Sequence, residues 1–161
     1  MKILVFSDSH SCQNRILKAL NSHRGKCDLI LFLGDGIRDL EIISTKYPNL
    51  PIIKVRGNCD LFASQDILNE TILDLDGIRV LVTHGHNYGV KYGYETILRY
   101  ARDNKVDAVF FGHTHIPCDK IEYFNEEKIH LYNPGSVATT ATYGVVNISN
   151  GVLVTNIAKI Y

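Results

Sequence analysis

The sequence predicts an α/β fold of two packed sheets, and three features of the chain point to it. Short apolar runs alternate with stretches of helical periodicity through the first two-thirds, several of these runs are apolar at every position, and hairpin turn signals gather towards the end. Strands apolar on both faces and separated by helices belong to a largely parallel sheet with helices packed on it. The antiparallel material is expected to form a second sheet against the first.

Taken in order, Lys2–Phe6 reads as a buried strand. The helix after it is marked by Ile16, Leu17 and Leu20, with Gly25 as its stop. Leu29–Leu33 is the next strand, and Leu40, Ile43 and Tyr47 mark a helix that Pro48 ends. Ile52–Val55 follows. Thr71–Leu75 and Ile78–Val82 flank Asp76-Gly77, a two-residue hairpin signal. Tyr94, Ile97, Leu98 and Ala101 define a third helix before the strand Ala108–Phe111. Ile121–Phe124 and Ile129–Tyr132 form a hairpin around "NEE", and Tyr143–Ser149 and Val152–Ile157 another around Asn150-Gly151. With no linker, repeat or low-complexity segment, residues 1–161 are expected to be a single domain.

Composition narrows the function classes. The chain has 161 residues, 45% of them apolar, and its 17 Lys+Arg balance 17 Asp+Glu. That length suits one domain with its own core. Zero formal charge argues against an extended nucleic-acid or membrane surface. The opening "MKILVFSDSH" is too briefly apolar for a signal peptide, and no run reaches membrane-spanning length. Cys12, Cys27, Cys59 and Cys118 lack paired spacing, so reduced thiols and a cytoplasmic location are expected.

The chemistry sits where the strands end. "KILVFSDSH" finishes in Asp8 and His10, "LILFLGD" in Gly34-Asp35, and "IIKVRGNCD" in Gly57-Asn58-Cys59-Asp60. "RVLVTHGH" finishes in His84-Gly85-His86, and "AVFFGHTH" in Gly112-His113-Thr114-His115. Singly, each has an ordinary reading: Asp8 as a helix cap, Gly34-Asp35 and Gly57-Asn58 as turns, the histidines as surface residues. Together, at five strand ends, they mark a ligand site, because open α/β sheets bind ligands outside the carboxyl ends of their strands. Asp8, His10, Asp35, Asn58, His84, His113 and His115 are too many donors for one tetrahedral zinc. A mixed oxygen and imidazole set suits Mn²⁺, Fe²⁺ or Zn²⁺. A shared carboxylate fits two ions roughly 3.5–4 Å apart.

In these residues the chain resembles the calcineurin-like metallophosphoesterases. That family's motifs run D-x-H, G-D, G-N-[H/C]-[D/E], G-H or H alone, and G-H-x-H. All stand here in order from Asp8 to His115, and "NPGS" (Asn133–Ser136) is similar to the family's usual sequel. Size and Cys59 are most similar to the small phosphodiesterases of the superfamily. The resemblance implies a four-layer sandwich of two packed mixed β-sheets flanked by helices, with the metal site at the carboxyl ends of the strands. It implies a first ion on Asp8, His10, Asp35 and His115 and a second on Asp35, Asn58, His84 and His113. Asp35 then bridges, and the two histidines of "GHTH" serve different ions, with Thr114 as a spacer pointing away.

The implied activity is hydrolysis of small phosphodiesters by a hydroxide shared between two divalent ions. Mn²⁺ is expected, with Fe²⁺, Zn²⁺, Ni²⁺ or Co²⁺ as substitutes. Asp35 and Asn58 join Asp60 and His86 as the catalytic group, Asp60 behind the ligands and His86 touching substrate or orienting His84. Many members carry a histidine after the asparagine as proton donor to the leaving alkoxide; this chain has Cys59. A thiol near cations tends towards thiolate, which cannot donate. The segment "NYGVKYGY" (Asn87–Tyr94) is read first as tyrosines packing on the sheet, and second as an aromatic rim with Lys91 facing phosphate. The expected partner is a small phosphoester, with a homo-oligomer left open. Rival readings are a non-catalytic scaffold resembling a retromer subunit of this fold, and a nuclease or cyclic-nucleotide phosphodiesterase. The complete ligand set argues against a scaffold as the sole role.

Overall fold

The computed structural model describes residues 1–23 and 26–161, so the helix stop expected at Gly25 lies outside the described residues. The first sheet has the order β10-β9-β1-β2-β3, from β1 (Lys2–Phe6), β2 (Leu29–Phe32), β3 (Ile52–Lys54), β9 (Thr142–Ser149) and β10 (Val152–Lys159). The second has the order β4-β5-β6-β8-β7, from β4 (Glu70–Leu75), β5 (Ile78–Thr83), β6 (Ala108–Phe110), β7 (Cys118–Phe124) and β8 (Glu127–Asn133). In the first, β1, β2 and β3 run parallel and β9 lies antiparallel to β1, pairing Val5 with Gly144. In the second, β5, β6 and β8 run parallel between two antiparallel edges.

Both sheets are therefore mixed, and the five apolar runs do not share one sheet. Three lie in the first and two in the second, while the last hairpin returns to cover the open edge of β1. An apolar run reports that both faces of a strand are buried, which holds in either sheet of a four-layer stack, so the pattern is blind to membership.

Alternation along each strand builds the layers. Ile3 and Val5 of β1 point inward to meet Val80 and Val82 of β5 and Phe110 of β6 between the sheets. Leu4 and Phe6 point outward, where α1 (Gln13–Ser22) supplies Ile16, Ala19 and Leu20, and α2 (Leu40–Lys46) supplies Leu40 and Ile43. On the far side α3 (Glu95–Asp103) lays Ile97, Leu98 and Ala101 on Leu81, Val109 and Leu131. These helices have no side-chain cap at their starts, so packing holds them: a fully buried Leu, Ile, Val or Phe contributes about 1.5–3 kcal/mol. The order helix, sheet, sheet, helix is the expected sandwich.

The turns behave as their residues dictate. Asp76-Gly77 and Asn150-Gly151 close their hairpins with positive φ at both positions. The "NEE" turn is shorter than expected: Phe124 pairs with Glu127, leaving Asn125 and Glu126 left-handed at φ 50° and 72°. At this end of the sandwich the Asn150 amide donates to Asp76 Oδ2 (2.8 Å) and the Gly151 amide to Asp76 O (3.1 Å), tying one sheet to the other.

Candidate metal centre

The carboxyl ends of β1, β2 and β3 and those of β5 and β6 meet at the opposite edge. The loop after β1 is braced on the loop after β2: the Asp8 amide donates to Gly34 O (3.0 Å) and the His10 amide to Asp35 O (3.3 Å). Such close approach needs glycine. A side chain on Gly57 would collide with Asp35, and one on Gly112 with Ser7 and Asp8. Five of the expected ligands, Asp8, His10, Asp35, His113 and His115, hold left-handed backbone with φ between 40° and 64°. Clusters of such residues mark sites where the surroundings over-determine the conformation.

Asp8 is fully buried. Its Oδ2 accepts from Ser7 Oγ (2.5 Å) and the His113 amide (3.1 Å), while its Oδ1 has no hydrogen-bond partner. Facing that oxygen are His115 Nε2 at 3.1 Å and the Nε2 atoms of His10 and His84 at 4.0 Å. Asp35 is equally sunk, with Oδ1 held by the Cys59 amide (2.7 Å) and Oδ2 lying 3.4 Å from His84 Nε2 and 4.0 Å from His10 Nε2. His84 Nδ1 lies 2.6 Å from Leu33 O; donation there places the proton on Nδ1 and leaves Nε2 free to face the carboxylates. Asn58 Oδ1 stands 3.2 Å from that Nε2. Asp8, His10 and His115 form one compact donor group; Asp8, Asp35 and His84 form another, and His10, Asp35 and Cys59 a third. The His113 and His86 rings lie beside His84, with centroids 5.0 and 5.4 Å away.

The electrostatics follow from this crowding. Burial acts to raise the Asp35 carboxyl, but the His84 hydrogen bond and charge outweigh it and hold Asp35 well below the usual range. Burial opposes protonation of His84, yet Asp35 and Asp8 push it above its ordinary value. Burial, then the neighbouring His84 and Lys91, lowers His113 to about 4. Burial and His84 lower His86 as well. Burial raises the Cys59 thiol to about 11, helped by Asp35. The chain's own acids thus favour the protonated thiol, whereas the thiolate expected from the sequence depends on neighbouring metal cations.

An unpartnered carboxylate oxygen in a buried site is costly, and the imidazole nitrogens gathered around it complete a set of ligand atoms for a cation. The donor set is what a hard-to-borderline divalent cation takes. The residues fit a metal.

Comparison with known proteins agrees with this geometry. Residues 1–151 match the family model of the calcineurin-like phosphoesterase superfamily domain. The chain belongs to that family. It is 33% identical over 156 residues to "Probable metallophosphoesterase YsnB" of Bacillus subtilis, covering 93% of this chain and 86% of that protein. It is 31% identical over 107 residues to "Phosphodiesterase YfcE" of Escherichia coli, covering 60% of this chain and 52% of that protein. The fold is that of zinc-complexed wild-type Vps29 from Entamoeba histolytica, with TM-score 0.70, 19% identity and full coverage of both chains.

Around these donors the structure shows contacts that brace the loops, one of them through Asp60, which was expected behind the ligands, and another through Asp39, which the sequence did not single out. Both carboxylate oxygens of Asp60 are taken by backbone amides, those of Asp35 (2.7 Å), Gly36 (2.9 Å), Ile37 (3.0 Å) and Gly57 (2.9 Å). Asp60 clamps the second loop to the third. Buried Asp39 does the same for the first loop, accepting from Ser9 Oγ (2.5 Å) and the Ser11 amide (2.9 Å). Asn133 of "NPGS" donates to Gly112 O (2.9 Å) and Thr114 Oγ1 (3.1 Å), and Ser136 Oγ donates to Asp8 O (2.9 Å). Thr114 is therefore an anchor for the "GHTH" loop as well as a spacer. In "NYGVKYGY", Tyr88 donates to Glu70 (2.6 Å) and Tyr94 packs edge-on against Phe111, as the packing reading expects, while Tyr92 stands 97% exposed.

Proposed function

We propose that the chain is a two-metal phosphodiesterase acting as one domain on small phosphodiesters, with Mn²⁺ as the working ion. One ion is assigned to Asp8, His10, Asp35 and His115, the other to Asp35, Asn58, His84 and His113. The observation that carries the reading is the buried, unpartnered Oδ1 of Asp8 among three imidazole nitrogens. When bound, a divalent pair acidifies a water near neutral pH and offsets charge on the phosphoryl oxygens.

The chain's own residues prepare this chemistry. The Cys59 amide fixes one Asp35 oxygen so that the other is left for the shared position. The Leu33 carbonyl fixes the His84 ring. Asn58 offers a neutral oxygen, which adds no negative charge against an anionic substrate. His113, uncharged at neutral pH, does not repel a cation. Asp60, its oxygens spent on amides, positions Asp35 rather than touching substrate. Cys59 stands where, by the family resemblance, many larger members carry a histidine acid, and His86 borders His84 and His113 on the other side.

Metal-stripped protein is expected to keep its circular-dichroism spectrum and lose all hydrolysis of bis(p-nitrophenyl) phosphate, with Mn²⁺ restoring activity at two ions per chain. Full activity at one ion per chain would overturn the dinuclear reading. A scaffold role draws support from fold alone and leaves the donor set without a purpose.

A further inference from the structure

Beside the donors, a hollow of about 200 Å³ opens between His10, Cys59, Arg38 and Phe62. Its inner end is the metal centre, since His10 and Cys59 belong with Asp35 to one donor group. Its outer end has two features that the fold does not require. Phe62 is 82% exposed, on the loop that follows the Asn58 motif. The Arg38 guanidinium lies 5.3 Å from the Phe62 ring centroid and is itself on the surface. The arginine salt bridges among the described residues are those of Arg99 with Glu95 and Arg102 with Asp103, so Arg38 rests on Phe62 with no acidic partner. The acids lining the same hollow are spent: Asp39 on Ser9 and Ser11, Asp60 on four backbone amides. What remains to meet a ligand is an aromatic face, a free guanidinium and no available carboxylate.

We infer that Arg38 and Phe62 form the site for one ester arm of the substrate, and that this arm is nucleotidyl, its base stacked on Phe62 and its acceptors or further phosphate on Arg38. This rests on the phosphodiesterase reading, because the hollow matters for substrate only if the scissile phosphate sits at the donors. A flat π-rich group stacks on an exposed aromatic ring, and guanidinium binds phosphate or carbonyl oxygens with forked donors. A glycerol or alkyl arm would use neither residue. Single exposed apolar residues are ordinary on a surface; what singles out Phe62 is its place with Arg38 at the mouth of the hollow that opens on the donors.

The experiment compares a dinucleotide diester with a glycerol-based diester of equal charge, using Mn²⁺-loaded protein and the variants Phe62→Ala and Arg38→Gln. Wild type is expected to favour the dinucleotide in kcat/KM. Each variant should cut that preference about five- to tenfold, mainly through KM, at the low end of what base–aromatic stacking supplies. Both side chains are exposed, so neither substitution opens the core, and a matched thermal melt checks the fold. Equal use of both diesters by wild type, or a preference that both variants keep, overturns the inference while the phosphodiesterase reading survives. Independently of turnover, AMP added to metal-free protein labelled at phenylalanine should shift the Phe62 ring resonances, with the effect lost in Arg38→Gln. Absence of that shift also overturns the inference. Hydrolysis of neither diester would instead defeat the functional reading, leaving the AMP titration to decide the site.

Discussion

The first sheet and the second bring different chemistry to their shared edge. From the first come the oxygens Asp8, Asp35 and Asn58 with the single imidazole of His10; from the second come only imidazoles, His84, His86, His113 and His115. In each set one member is held by the other sheet's backbone. The His113 amide, on a second-sheet loop, holds Asp8. The Leu33 carbonyl, at the end of a first-sheet strand, holds His84. The candidate metal centre is thus a property of how the sheets pack, and neither sheet alone presents it.

Asp35→Asn strikes the oxygen proposed as shared and should cost most, about 10³-fold in kcat, or roughly 4 kcal/mol of transition-state stabilisation, with loss of both ions by metal analysis. Retention of two ions and activity would break the assignment of Asp35 as the bridge. His113→Ala and His115→Ala should each cost about 10²-fold, and anomalous diffraction should show each variant missing a different ion. If both lose the same ion, the second sheet does not span the pair.

Asp60→Ala should lower stability by about 2 kcal/mol in denaturant titration, since it strands amides that a charged acceptor now satisfies. Asp60→Asn should lose less. An Asp60→Asn protein with unchanged stability and no activity would show a direct catalytic role in place of a bracing one. Cys59→Ala should change turnover of activated diesters less than about threefold, because a phenolate leaves without a proton. Cys59→His should help most on alkyl leaving groups, where positioned acid catalysis is worth roughly 10²–10⁴-fold. A Cys59→Ala loss that grows with leaving-group pKa would instead make the thiol the acid.

Much of the site was legible because each donor directly follows an apolar run, and a run's end is easy to read. The hairpins were legible from their turn residues. What stayed hidden was relational. β6 and β1 look alike in sequence yet lie in different sheets, since burial on two faces says nothing about the neighbour. Asp60 and Asp39 satisfy backbone amides across loops, and such contacts leave no spacing in the chain. Thr114 read as a spacer because its partner, Asn133, lies nineteen residues on. Arg38 and Phe62 escaped because an exposed aromatic residue has no periodic companions to announce it.

The left-handed backbone at Asp8, His10, Asp35, His113 and His115 also governs which substitutions are informative there. Outside glycine, that region of conformational space is entered most readily by asparagine, aspartate and histidine, and it costs other residues roughly 1–2 kcal/mol. The residue types that tolerate the shape are nearly the same types that donate to a metal. In a saturation scan, selection for folding and selection for activity would therefore overlap at these five positions, and valine or isoleucine would fail on both counts. Asparagine separates the two demands: at Asp8 or Asp35 it keeps the backbone and removes the charge. Alanine at His113 and His115 carries similar backbone strain in both, so comparing the two variants cancels it and leaves the ions as the difference.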